Sequence, residues 1–357
     1  MLRNRFVSGA TTLFLAFLIV LTAARCTEAA SKYRILHYFK GKPDGGGVFA
    51  GLAFDPKGNL YGTTWGGGSY SSGTVFELSP SSGGKWSEKI LHSFCRPGHC
   101  TDGDLPENTP TLDAKGNLYD FSSAGVFQMT PGAHGWSFKV IYSGGSRKAK
   151  APNDPAGECG LLLDAQGNLY SACLSLGQNY NGAVSKLSPG TNGWTEKNLL
   201  DFCLDPLNGV CVGGNHPQFP LGWDKAGNLY GVTTEGGADK AGVAFRLEYK
   251  AGVWEEHVLH SFPAYSGDGY PPSAGLTPDS SGNILGMTQQ GGGDRNGTVF
   301  ELSEQKDGRW KETILYDFNN DGYDPEAGVV LDDKGNLYGT TSEGGPGGYG
   351  VVFEITP

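Results

Sequence analysis

The sequence predicts an all-β fold: a six-bladed β-propeller with four antiparallel strands per blade. Its ring is closed by an N-terminal outer strand that pairs with three C-terminal strands. Three observations predict it. The stretch Gly58-Asn59-Leu60-Tyr61-Gly62-Thr63-Thr64 returns in altered form at Gly116-Asn117-Leu118-Tyr119, Gly167-Asn168-Leu169-Tyr170, Gly227-Asn228-Leu229-Tyr230, Gly282-Asn283-Ile284-Leu285 and Gly335-Asn336-Leu337-Tyr338, with Asn-to-Asn steps of 58, 51, 60, 55 and 53 residues. A period near 50 marks a repeat architecture. Each unit contains four short β-like segments, the content of a propeller blade. Finally, the chain opens on a segment of the fourth type and ends on three of the first types, so pairing them uses every strand and leaves no open sheet edge.

In chain order, Arg3 and Arg5, an apolar run from about Thr12 to Ala24 and small residues at Ala29-Ala30 form the basic, apolar and small-residue regions of a cleaved signal peptide, residues 1–30. An uncleaved anchor and lipidation at Cys26 are the alternatives; the apolar run is shorter than the ~20 residues that span a bilayer. Residues 31–357 are then expected to form one propeller domain, exported to the periplasm or beyond, with no membrane span and as a monomer. The formal charge is −10, and the first 30 residues hold three Arg and one Glu, which leaves −12 for the rest. No Lys/Arg-rich block is present, which argues against nucleic acid and anionic lipid as partners.

The first full unit sets the pattern. Ala50 to Asp55 reads as a strand, Pro56-Lys57-Gly58 as a turn with a glycine where positive φ is needed, and Asn59 to Thr64 as a second strand. A Gly/Ser-rich loop follows, then a strand at Thr74–Leu78. An outer strand at Trp86–Phe94 puts Trp86, Glu88, Ile90, His92 and Phe94 on one face by period-two alternation. The outer strands of the other units are Trp136–Ser143, Trp194–Phe202, Trp254–Phe262 and Trp310–Phe318, and the sixth is Tyr33–Phe39.

Six Cys follow the signal region, an even number as expected for disulfides in an exported chain. Cys95 and Cys100 flank one short loop, and Cys203 and Cys211 flank the matching loop two units later. Cys159 and Cys173 face each other across the hairpin centred between Asp164 and Asn168, where the alternative is two buried free thiols.

Strand alternation places the loops between second and third strands, and those leading into each blade, on one face. They are long and rich in Gly, Asp and aromatics, so this is the candidate functional face. The lead-in loops repeat Asp-Gly at Asp44, Asp102, Asp268 and Asp321. Pointed toward the axis, these carboxylates could bind calcium or sugar hydroxyls; Asp-Gly is also ordinary turn chemistry. A second set, Trp65, Glu235, Gln290 and Glu343, precedes Gly-rich turns. Trp65 or Tyr70 could stack on a sugar, and Glu235 with Glu343 could form an acid/base pair, against the plain reading of solvated surface Glu. His37, His92 and His260 hold one strand position, exchanged with Tyr142, Leu200 and Tyr316, which argues for packing between blades rather than a metal cluster. His99 and His216 lie on variable loops and are retained as weaker site candidates. There is no Gly-x-Ser-x-Gly, phosphate loop or His-Glu-x-x-His.

Leu60-Tyr61-Gly62-Thr63-Thr64, Gly66-Gly67 and Gly73-Thr74-Val75-Phe76-Glu77-Leu78, repeated at Leu229–Leu247, Ile284–Leu302 and Leu337–Ile355, resemble the GloVer tandem-repeat proteins. Units two and three depart from the motif at Asp120-Phe121-Ser122-Ser123 and Ser171-Ala172-Cys173-Leu174. The resemblance implies an exported bacterial propeller-like protein and carries no functional residues over; the surface anchor of the relatives is not expected here. The leading expectation is a non-catalytic module for carbohydrate or an extracellular protein, requiring no cofactor. The runner-up is an enzyme acting on a polysaccharide or lactone with calcium in the axial channel. A structural scaffold without a small ligand is the third reading.

Overall fold

Each blade is an antiparallel sheet whose strands lie side by side, ordered from the ring axis outward. The computed structural model describes residues 31–143, 159–174, 176–204, 206, 210–264, 270–319 and 322–356. The predicted signal peptide, Asp268 and Asp321 lie outside the described residues. Blade 1 consists of Ala53–Phe54, Leu60–Thr64, Thr74–Pro80 and Trp86–Ser93; blade 2 of Thr111–Leu112, Leu118–Ser122, Gly125–Gly132 and Gly135–Tyr142; blade 3 of Cys159–Leu163, Leu169–Cys173, Ala183–Gly190 and Gly193–Asp201. Blade 4 follows with Gly222–Trp223, Leu229–Thr233, Val243–Lys250 and Val253–Ser261. Blade 5 has a divided inner strand, Tyr270–Pro272 and Thr277–Pro278, then Ile284–Gln290, Thr298–Glu304 and Trp310–Asp317. Blade 6 takes Val330–Leu331, Leu337–Thr341 and Val351–Thr356 from the C-terminal end, and Lys32–Tyr38 from the N-terminal end pairs with Val351–Thr356 as its outer strand. The predicted six blades and ring closure are present.

The repeat motif is a side-chain-locked turn. Asp55 Oδ1 accepts the amides of Lys57 and Asn59, and Asp55 Oδ2 accepts Asn59 Nδ2 and the Tyr61 hydroxyl. Gly58 sits at φ 84°, where a side chain would be strained. Asp113, Asp164, Asp224, Asp279 and Asp332 bind the Asn of their own turns in the same way. Burial alone would raise these carboxyl pKa values. The hydrogen bonds from backbone and Asn outweigh it at Asp55, Asp113, Asp224 and Asp332, which are held below the usual range.

The core lies between blades. Six apolar clusters fill the interfaces, one per neighbouring pair. At five of them the Phe that follows one blade's outer strand meets, edge to face or tilted, a third-strand Phe of the next blade: Phe39 on Phe76, Phe94 on Phe127, Phe202 on Phe245, Phe262 on Phe300 and Phe318 on Phe353.

The one-face alternation expected for the outer strand fails, and the cause is a β-bulge. Val75 pairs with His92 but Phe76 pairs with Ile90, so Leu91 is an extra residue. Trp86 and Ile90 pack toward blade 6, whereas Leu91 and Phe94 pack toward blade 2. Every blade has such a register shift at the corresponding place. Of the half-buried side chains of the first blade's outer strand, those before the bulge, such as Trp86 and Ile90, therefore face the preceding blade, and those after it, such as Leu91, face the following blade.

The three predicted cysteine pairs are disulfides: Cys95–Cys100, Cys159–Cys173 and Cys203–Cys211. Cys159 and Cys173 are direct cross-strand partners with Cα atoms 4.3 Å apart, the narrow spacing of a non-hydrogen-bonded pair. No helix among the described residues is long and apolar enough to cross a membrane.

Candidate functional site: the axial funnel

Seven residues before each turn glycine the chain reaches the axis, at Gly51, Thr109, Gly160, Pro220, Gly275 and Gly328. These positions touch through their backbones. A Cβ on Gly160 would lie 2.0 Å from Pro220 N, one on Gly275 2.5 Å from Pro220 O, and one on Gly328 2.8 Å from Gly275 O. The axis is thus pinched to a waist with a funnel on each side. The funnel on the short-turn face, about 270 Å³, is lined by Leu52, Pro110, Leu162, Trp223 and Val330 among others and is largely apolar.

The funnel on the long-loop face, about 210 Å³, carries the polar chemistry. Its wall is built from the residues two places before the waist: Phe49, Glu107, Gln218 and Glu326, with Phe219 beside them. Burial pushes the Glu107 carboxyl up, opposed by a hydrogen bond from Trp65. Burial, and then the charges of Asp324 and Glu107, push Glu326 up to about 7, opposed by Gln289, whose Nε2 donates to Glu326 Oε1 at 3.3 Å. Next to the funnel and sharing Phe49 is a second hollow of about 330 Å³, lined by Trp65, Asp324, Ser342, Glu343 and Tyr349. Trp65 is 42% exposed and meets Phe49 edge to face at 6.2 Å; Tyr349 is 44% exposed.

The structure sorts the residues selected from the sequence. Trp65 and Glu343 line the second hollow. Tyr70 is exposed on the adjoining loop. Glu235 lies elsewhere, on blade 4, where its carboxylate accepts Asn215 Nδ2 and sits 3.2 Å from His216 Nδ1; it does not line the hollow that holds Glu343. His99 forms a tight bridge with Arg96 inside the Cys95–Cys100 loop. Gln290 pairs with Tyr270 at the edge of blade 5. Here the register corrects the sequence grouping. Gly46, Asn215, Tyr270 and Tyr323 pair with Gly66, Glu235, Gln290 and Glu343. Trp65 therefore corresponds to Gln289 and Ser342, one place earlier, and adjacent residues of a strand point to opposite sides.

For Asp44 and Asp102, the two lead-in aspartates of the set among the described residues, the inward reading is also corrected. Asp44 lies beside His37 and Glu88, and Asp102 accepts a hydrogen bond at 2.8 Å from His92, both against outer strands at blade interfaces. The bulge explains this, because it turns His37 and His92 toward the next blade, where the lead-in loop passes. These histidines are accordingly polar latches as well as packing groups. The residues that do reach the axis, Glu107, Gln218 and Glu326, have a sequence signal: each stands nine places before its turn glycine.

The sequence matches the Gloeobacter/Verrucomicrobia repeat three times, over residues 22–203, 123–300 and 160–357. The chain belongs to the Gloeobacter/Verrucomicrobia repeat family. No curated protein matches it. Among solved structures, this repeat protein is similar to a gluconolactonase from Xanthomonas campestris, with TM-score 0.54 and 14% identity over 91% of this chain and 89% of that one. It is similar as well to a calcium structure of a Trichoderma reesei protein of Carbohydrate-Active Enzymes family AA12, with TM-score 0.54 and 12% identity over 92% and 96%. An auxiliary nutrient binding protein from Bacteroides thetaiotaomicron matches with TM-score 0.52 and 11% identity over 91% and 76%. At these identities the likeness concerns the propeller fold.

Proposed function

We propose that this chain is an exported binding propeller that takes a carbohydrate, or another small polyhydroxylated ligand, at the long-loop mouth of its axis. The observation that carries the reading is the pairing of Glu107 and Glu326 in a hollow walled by Phe49 and Phe219 and continuous with exposed Trp65. A carboxyl raised to about 7, as at Glu326, can donate to sugar hydroxyls when protonated and accept from them when ionised, while an exposed indole offers a flat apolar face. Apolar walls with a few convergent polar groups are the usual make-up of a ligand site. The three disulfides suit an oxidising compartment, in keeping with export.

A second reading rests on Glu326. A carboxyl that titrates near 7 beside another carboxyl can act as a general acid at neutral pH, which would make the funnel an active site for a glycoside or lactone. Calcium, if bound, would use the oxygens of Glu107 and Glu326 and drive off their protons. The deciding experiment sets the purified protein against a panel of polysaccharides, with and without calcium, and records retention and released products. Retention without products, lost in Glu107→Gln and Trp65→Ala, supports the binding module. New reducing or unsaturated ends, lost in Glu326→Gln, make it an enzyme. Retention that survives all three substitutions would remove the funnel from the account.

A further inference from the structure

We propose a divalent transition-metal site between blades 6 and 1, with His37 Nε2, Asp44 Oδ2 and Glu88 Oε2 as ligands. The three side chains come from three elements: the outer strand of blade 6, the lead-in loop of blade 1 and the outer strand of blade 1. Their ligand atoms all lie within 4.8 Å of one another. His37 Nε2 stands 3.5 Å from Asp44 Oδ2 and 3.7 Å from Glu88 Oε2. Those are the spacings of ligands that share one ion: donors about 2.1 Å from a tetrahedral metal lie about 3.4 Å apart.

Two further observations point to a ligand rather than to a plain ion pair. His37 Nε2 and Glu88 Oε1 are buried atoms without a hydrogen-bond partner. The next interface supplies a control within the molecule. There, His92 and Asp102 occupy the places of His37 and Asp44, and Phe138 occupies the place of Glu88. With no third donor, the imidazole and carboxylate close to a direct 2.8 Å contact. At His37 the corresponding pair is held open.

The donor set selects the class of ion. One imidazole and two carboxylates suit Zn²⁺ or Mn²⁺ better than Ca²⁺, which takes six to eight oxygens. Side-chain exposures of 15%, 12% and 15% leave a path for the ion and for water in the remaining positions. The other candidate cluster among the described residues, Cys95, Cys100 and Asp104, offers no thiolate, because its two sulfurs are bonded to each other.

The test uses the full chain, oxidised and stripped of metal with a chelator, titrated calorimetrically with ZnCl₂ and with MnCl₂ while circular dichroism follows the fold. One equivalent of either ion should bind, and Glu88→Gln and His37→Gln should each weaken that equivalent by more than about 100-fold, since even outer-shell partners cost 10–100-fold. Asp44→Asn, in a loop outside the strands, gives the same reading with less risk to folding. Glu107→Gln and Glu326→Gln should leave the equivalent unchanged, which keeps this result separate from the fate of the axial funnel. The proposal is overturned if the folded protein takes up neither ion, or if binding survives in folded Asp44→Asn and Glu88→Gln. Loss of binding in Glu107→Gln would also overturn it, by moving the ion to the axis.

Discussion

Glu256 offers a sharp test of how the blades are joined. It is the blade 4 counterpart of Glu88, Glu196 and Glu312, which face His37, Tyr142 and His260 of the preceding blades. Across from Glu256 the corresponding residue is Leu200, and the lead-in loop offers Gly213 where Asp44 stands in blade 1. The Glu256 carboxyl therefore lies against the Gly213 backbone with Oε1 buried and unpartnered. Burial pushes its pKa from 4.5 up to about 8. Between those values the native state holds a proton that the unfolded chain releases, so stability falls as pH rises across the window. At about 1.4 kcal/mol per pH unit, the full displacement corresponds to about 5 kcal/mol, of which about 3 kcal/mol is already lost at pH 7. Glu256→Gln removes the titration and leaves the shape. In urea unfolding, the stability of Glu256→Gln relative to the parent should rise by roughly 3–5 kcal/mol between pH 4.5 and pH 8. Leu200→Tyr, which copies Tyr142 opposite Glu196, should flatten the same slope by giving the carboxylate a donor. A difference between Glu256→Gln and the parent that stays constant over this range would refute the reasoning.

Two further outcomes follow from the turns and the waist. Asp55→Ala should cost about 1–2 kcal/mol at pH 7, because several donors lose one charged acceptor. As the Asp55 pKa is lowered from 3.8, its contribution is present above that value and disappears as pH falls through the lower, folded value; the difference between variant and parent should shrink accordingly in acid unfolding curves. Gly160→Ala should cost about 1–3 kcal/mol in chemical denaturation, since its Cβ meets the backbone of Pro220 rather than a side chain that can turn away. A neutral Gly160→Ala would mean that the waist is looser than its contacts indicate.

Much of the ring was legible in the sequence because it is encoded locally and repeatedly. Asp, Gly and Asn at fixed spacing, joined by Tyr in five units, lock a turn through bonds that span no more than six residues, so six copies of the Asp-Gly-Asn spacing mark six hairpins. The Cys159–Cys173 pair could be placed by counting outward from one such turn. Ring closure followed from which strand types begin and end the chain. The strand bounds differ mainly at the inner strands, where regular pairing is confined to a few residues beside the waist, as at Ala53–Phe54.

Tertiary structure decided the sites. One extra residue in each outer strand reverses the facing of everything after it, which moves His37 and His92 to the next blade and draws Asp44 and Asp102 away from the axis. Period-two alternation cannot show such a reversal, because a bulge leaves the composition of the strand unchanged. The funnel residues Glu107 and Glu326 stand 219 positions apart and meet only because the ring closes. Their raised pKa values arise chiefly from burial, joined at Glu326 by the charges of Asp324 and Glu107, and these depend on distances that no local pattern contains. The sequence by itself determined the number of blades, the order of their strands and the disulfide pairs, all short-range or periodic features. Which side chains share a hollow, and with what charge, was decided when six loops drawn from the whole chain converged on one axis.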